Sequence, residues 1–211
     1  MNKRTAQILE IAIVYAAIIG VTLGFHWLVF AVTSVPLRMA FMLIPLGIFI
    51  ALPILLYRAQ QRPLSELGIV SQRWGRQALI AVVLAALLLV GFVAIPLLLG
   101  LNKTDVLSFK ASSPAVFAFY VIKQLFFLGF GEEILFRGYF LEKLKQVTGS
   151  GVWGVILSSL LFGLFHYPIS QNILQVLVTT LLGMIFGFSR LKIKDCSVLS
   201  LGLAHGLYDA G

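Results

Sequence analysis

Eight ionisable side chains fall inside strongly apolar stretches of this sequence: Glu10, Lys123, Glu132, Glu133, Arg137, His166, His205 and Asp209. A charge at bilayer depth costs at least about 2.5–3.5 kcal/mol on insertion scales, so such residues are candidates for function by default. Six of them have spacings that make chemical sense. In Gly131-Glu132-Glu133-Ile134-Leu135-Phe136-Arg137, Glu133 and Arg137 are four apart and share one helix face, where the pair can neutralise both charges and become bidentate. Glu132 lies about 100° further round the helix, and its own i+4 neighbour is Phe136. It is left without a local cation, free to face a cavity. The two acids are therefore expected to differ: Glu133 structural, Glu132 reactive.

His205 and Asp209 are again four apart, and His166 comes one turn after Phe162. Small residues nearby, Gly163, Gly202, Ala204 and Gly206, allow helices to approach closely. A Glu, two His and an Asp on three segments can converge on one water molecule. The chemistry would be hydrolysis, with Glu132 as general base, His166 sharing the proton, and His205 stabilising developing charge. No Ser or Cys nucleophile is required. The same residues also allow other readings. They can join helices by hydrogen bonds, or hold zinc with an open position for water, although no HExxH helix is present. A proton relay in a carrier is a third, but the chain shows no inverted repeat. Of the rest, Glu10 lies near enough to a helix start to reach the interface, and Lys123 can snorkel or pair with a carboxylate. His26 sits among aromatics at a membrane boundary.

The elements that position these residues are dictated by composition. Of 211 residues 60% are hydrophobic and only 11% charged, against roughly 25% charged in a soluble domain. Such a chain cannot cover a water-facing surface. Apolar runs bounded by charge, Pro or Gly predict an all-α, polytopic transmembrane bundle of about seven spans. They run over Gln7–Val32, Leu37–Tyr57, Ala78–Leu101, Pro114–Lys145, Gly151–Tyr167, Gln171–Ser189 and Cys196–Gly211. The whole of 1–211 reads as one transmembrane domain, with a short interfacial piece expected around LSELGI in the connection from Arg58 to Gln77. The first run is too long for a cleaved signal peptide and reads as a retained span. The fourth would be about 48 Å long. It is therefore expected to tilt, to break near Gly129–Phe130–Gly131, or to project into the cytoplasm.

The formal net charge of +8 sits in short connections, where it sets orientation. With the N-terminus in the cytoplasm, twelve Lys and Arg fall on that side. Three, Arg38, Lys103 and Lys110, fall opposite. No nucleic-acid-binding motif or basic stripe is present. The single cysteine, Cys196, excludes an internal disulfide and reads as a small apolar residue.

Taken in order, Glu132-Glu133-x-x-x-Arg137, Phe162-x-x-x-His166 and His205-x-x-x-Asp209 resemble the three motifs of the CPBP (CAAX protease and bacteriocin-processing, or Abi) intramembrane peptidases. The resemblance extends over GEEILFRGYF and LSELGI and covers Leu64 to the C-terminus, the region 64–211. It implies an all-helical endopeptidase that cuts a peptide bond of a membrane-associated, prenylated or membrane-anchored substrate without a cofactor, zinc being the alternative. By motif, Glu132 corresponds to the water-activating glutamate assisted by His166. His205 and Asp209 correspond to the pair that stabilises the oxyanion, and Glu133 and Arg137 support Glu132. The last position is often Asn in the family. An ionised Asp209 cannot donate to an oxyanion, so it would orient His205 or act in protonated form. The resemblance also leaves room for a non-catalytic scaffold or bacteriocin self-immunity protein. A compact chain of this kind is expected in a bacterial inner membrane, with lipid and a peptide substrate as partners.

Overall fold

In lipid a helix is the simplest way for a single apolar segment to pair all its backbone groups, and every apolar run forms one. The computed structural model describes residues 2–70, 72–101 and 112–210; among them are seven helices and no strand. Helix α1 is Lys3–Ala31, α2 Val35–Ala59, α3 Trp74–Leu98, α4 Pro114–Thr148, α5 Gly151–Ser170 and α6 Ile173–Lys192, all long and apolar enough to cross a bilayer. Helix α7, Val198–Ala210, has thirteen residues. At 1.5 Å per residue it is about 20 Å long, short of a core of about 30 Å. The expected seventh span is thus a short helix packed among six long ones. Lys103 and Lys110 lie outside the described residues.

Helix starts are written in side-chain caps. Asn2, Ser113, Ser150 and Asn172 each accept a backbone N–H of the first turn of α1, α4, α5 and α6, satisfying donors that a helix leaves unpaired. Between α2 and α3 the expected interfacial piece is a 3-10 turn, Leu64–Leu67, closed by Gly68 at φ +78°. It acts as a buckle. The Gly68 carbonyl accepts the Val198 N–H at 3.1 Å, and Arg190 at the end of α6 donates to Glu142 at 3.0 Å and to the Glu66 carbonyl. Buried Gln77 accepts the Ser197 hydroxyl and donates to the carbonyls of Val70 and Gln72. The start of α7 is thereby fixed against the start of α3.

Two apolar clusters form the core. One joins α1, α2, α4 and α5 through Ile18, Phe49, Tyr139, Phe140 and Phe165; the other joins α3, α6 and α7 through Ala81, Leu84, Phe186 and Leu201. Helix α4 runs between them. It contains 35 residues, about 52 Å at helical rise, and it is unbroken at Gly129–Phe130–Gly131. Two π-helical stretches, Lys123–Leu128 and Ile134–Phe140, flank the acids instead. Gly129 N–H donates to the Gln124 carbonyl and Leu141 N–H to the Phe136 carbonyl, each an i→i+5 bond. A wider turn takes in an extra residue and rotates the helix beyond it. Every residue from 131 to 141 is buried.

At the end of the bundle where α1 begins, Glu10 accepts from Tyr139 Oη at 2.9 Å, Lys143 Nζ at 2.9 Å and Gln60 Nε2 at 3.1 Å. This acid is a tie between α1, α2 and α4, and Lys143, near the end of the fourth segment, is 2% exposed.

Candidate functional site

The site begins with a carboxylate that is 0% exposed. Glu133 Oε1 accepts from Arg137 Nη1 at 2.9 Å, the i,i+4 pair that the spacing predicts. The same oxygen lies 2.9 Å from His205 Nδ1. Because a carboxylate accepts, that ring nitrogen is the donor. The Arg137 guanidinium lies 4.2 Å from the centre of the Phe162 ring and 5.5 Å from that of Phe186, a cation over aromatic faces. His205 stacks on Phe186 at 5.3 Å and meets the edge of Phe162 at 6.2 Å. Two rings thus position both partners of Glu133.

Helix α7 reaches Glu133 because α4 and α7 meet nearly backbone to backbone. A Cβ added at Gly206 would lie 2.7 Å from Leu125 Cα, and one at Gly202 would lie 3.0 Å from Phe130 Cα. Gly163 faces the Val176 carbonyl in the same way across α5 and α6, where an added Cβ would sit at 2.6 Å. The small residues expected to permit close approach do so at Gly163, Gly202 and Gly206.

The other nitrogen of His205 faces the remaining acids. Nε2 is 3.8 Å from Glu132 Oε2 and 3.6 Å from Asp209 Oδ2. Both distances exceed a hydrogen bond but are close for charge interaction. His166, near the end of α5, donates from Nδ1 to the Phe162 carbonyl at 2.8 Å, leaving Nε2 as the acceptor nitrogen. Its ring meets the edge of Phe162 at 4.9 Å, and it interacts electrostatically with Glu132 and Asp209. All six residues picked out by their spacing, Glu132, Glu133, Arg137, His166, His205 and Asp209, therefore lie in one neighbourhood between α4, α5 and α7.

Glu133 was expected to support Glu132; the structure shows it bonded to Arg137 and to His205. Both acids are buried, Glu132 5% and Glu133 0% exposed, between the two π-helical stretches of α4. Phe186, Ser159 and Gly183 also belong to the site, and their spacing gives no hint of it. An added Cβ on Gly183 would lie 3.1 Å from Arg137 Nη2 and 3.0 Å from Ser159 Cβ. Ser158-Ser159 inside an apolar span is the available signal. His26 packs edge-on against the rings of Trp27 and Phe30.

The donor set for zinc can be tested on geometry. Nδ1 of His205 is held by Glu133 and Nδ1 of His166 by a carbonyl, which leaves each Nε2 open. Among the described residues no three His, Cys, Asp or Glu side chains are grouped to hold a metal ion. The side chains as arranged do not fit that group.

What the arrangement offers chemically is a buried acid beside two histidines, each with its Nδ1 engaged and its Nε2 open. Residues 112–211, which contain all six positions, match the family model described as type II CAAX prenyl endopeptidase Rce1-like. No curated protein and no solved structure gave a match. This is a family of membrane proteases, and its description agrees with a bundle of six long apolar helices and a buried acid–histidine site. Over residues 112–211, a little under half of its length, the chain is thus similar to the CAAX proteases of the CPBP family.

Proposed function

We propose that the protein is an intramembrane endopeptidase that hydrolyses a peptide bond of a prenylated or membrane-anchored substrate with a water activated by Glu132. The observation that carries this reading is the pair of distances at His205 Nε2, 3.8 Å to Glu132 and 3.6 Å to Asp209, while Glu133 fixes Nδ1 at 2.9 Å. One imidazole is oriented by a support acid and presented to a reactive one.

Glu132 Oε2 takes a proton from water as the oxygen adds to the scissile carbonyl carbon. The carbonyl oxygen becomes an oxyanion, and a proton on His205 Nε2 supplies the donor it needs. The C–N bond then breaks. The proton held by Glu132 and His166 Nε2 goes to the leaving amine, completing one water consumed per bond cut. Asp209 acts through His205, holding the ring and its proton on the side of Glu132. Arg137 compensates Glu133 so that this acid stays an acceptor in a buried site. The reaction needs no metal in this reading.

The charge bias of the connections supports a multi-pass inner-membrane protein with its N-terminus in the cytoplasm. The test of function is direct. Purified protein in proteoliposomes is given a farnesylated peptide, and products are read by mass spectrometry. Wild type is expected to release a C-terminal fragment, whereas His166→Ala and Glu132→Gln are not. Cleavage retained in both variants would sink the assignment.

A further inference from the structure

At the end of the bundle where α1 begins, four cations border one polar space. Two cavities of about 430 and 510 Å³ lie between the start of α1 and the ends of α2 and α4, and they share Lys3, Gln7 and Gln146 as walls. Lys3, Arg4, Arg62 and Lys143 line them, and among the described residues Glu10 is the one acid that does. Two of the cations are held. Lys143, 2% exposed, bonds to Glu10 and Gln60, and Arg62 pairs with Glu66. Among the described residues Lys3 and Arg4, exposed in the first turn of α1, make no ion pair within 4.0 Å. Four cations therefore stand against two acids. Gln7 Nε2 donates to Gln146 Oε1 at 3.0 Å, joining α1 to α4, and this leaves the Gln7 amide oxygen and the Gln146 amide nitrogen for a ligand.

That set of groups has a chemical complement. Surplus positive charge suits a phosphate, and the open amide atoms suit hydroxyl groups. The space sits at the end of helices long and apolar enough to cross a bilayer, and Ile8, Leu9 and Ile13 are exposed on the next turns of α1. An anion that brings apolar chains with it covers that face, whereas a free phosphate does not. Basic pockets between membrane helices are suited to such headgroups. The geometry points to a binding site for an anionic phospholipid whose headgroup carries hydroxyls, of the phosphatidylglycerol kind. Its phosphodiester lies against Lys3 and Arg4 with Lys143 and Arg62 behind, its hydroxyls meet Gln7 and Gln146, and its acyl chains run along the exposed face of α1. The lipid holds the start of α1 on the end of α4, beside the tie that Glu10 makes to Tyr139 and Lys143. This site shares no residue with the acids and histidines of the candidate active site, and it stands whether or not the protein is a peptidase.

The test separates a built site from the general attraction of a basic surface. Full-length protein in dodecyl maltoside micelles is titrated with phosphatidylglycerol labelled on an acyl chain, and unlabelled competitors are then added. Phosphatidylglycerol should displace the label at least about tenfold better than phosphatidylcholine. Phosphatidylmethanol, with the same charge and no headgroup hydroxyl, should compete less well than phosphatidylglycerol. Near a membrane surface each cation contributes about fivefold, so Lys3→Gln combined with Arg4→Gln should weaken phosphatidylglycerol by about tenfold or more. Lys192→Gln combined with Lys194→Gln removes two exposed cations after α6 at the same end of the bundle and should leave the affinity unchanged. The unfolding transition of each variant checks its fold, and neither pair lies in the core. Equal weakening by the two pairs, equal competition by phosphatidylcholine or phosphatidylmethanol, or displacement by glycerol 1-phosphate as effective as by the lipid would each overturn the inference.

Discussion

Glu133 and His205, 72 residues apart in sequence, meet at 2.9 Å through Oε1 and Nδ1, and the same oxygen accepts from Arg137 at 2.9 Å. One buried carboxylate thus couples the motif of α4 to that of α7. It fixes which nitrogen of His205 faces Glu132. A histidine ring free to turn could present either nitrogen; this one is held on both sides, by Glu133 and by stacking on Phe186.

The coupling should appear in a double-mutant cycle. Glu133→Ala and His205→Ala, measured as kcat/KM, are expected to be non-additive by about 0.5–3 kcal/mol, because each removes the same interaction. Strict additivity would show that the two residues act independently.

Removing one member of the buried pair should cost more stability than removing both. Arg137→Met leaves Glu133, at 0% exposure, with His205 alone as its partner and should destabilise the protein by about 3–5 kcal/mol. The double variant Glu133→Gln with Arg137→Met should recover much of that loss, because no lone charge remains buried. Unfolding in mixed micelles, followed by circular dichroism, measures the difference. A double variant less stable than Arg137→Met contradicts the charge argument.

Close packing of α4 on α7 makes Gly206→Ala a geometric probe. The added methyl would meet Leu125 Cα at 2.7 Å, and overpacking of this kind costs about 1–3 kcal/mol. Activity should fall further, because α7 carries His205 away from Glu133. Gly24→Ala, with nothing within 4 Å of the added atom, should leave activity unchanged and serves as the control.

How much of this is legible in the sequence depends on the scale of the interaction. The helices are set by apolar runs, and their ends fall within a few residues of expectation, with caps at Ser113, Ser150 and Asn172 marking three starts. The Glu133–Arg137 pair is legible because i,i+4 neighbours meet on any helix. Glu133 with His205 is not, since it lies between two π turns of α4 and needs the glycines at the α4–α7 contact to seat it. Hydrophobic periodicity carries no trace of a π turn. The short α7 is legible in length but not in depth, and the ties of Glu10 to Tyr139 and of Gln77 to Ser197 need the packed bundle.

A reaction run by side chains alone predicts indifference to chelation. Enzyme incubated with EDTA or 1,10-phenanthroline and then freed of chelator should retain its rate. Metal analysis of the active preparation should find far less than one zinc per chain. Loss of activity restored by added zinc would contradict the mechanism.

The central claim is that Glu132 activates the water that cuts the bond. Single-turnover cleavage in H2(18)O tests it most directly, with product carboxyl groups read by mass spectrometry and the fold of each variant checked by its unfolding transition. Wild type should place one heavy oxygen in every new carboxyl in the first turnover. Glu132→Gln, still folded, should be slower by about 10²–10⁴-fold, the usual contribution of a general base. An unlabelled carboxyl in the first turnover, or a Glu132→Gln rate near that of wild type, would contradict it.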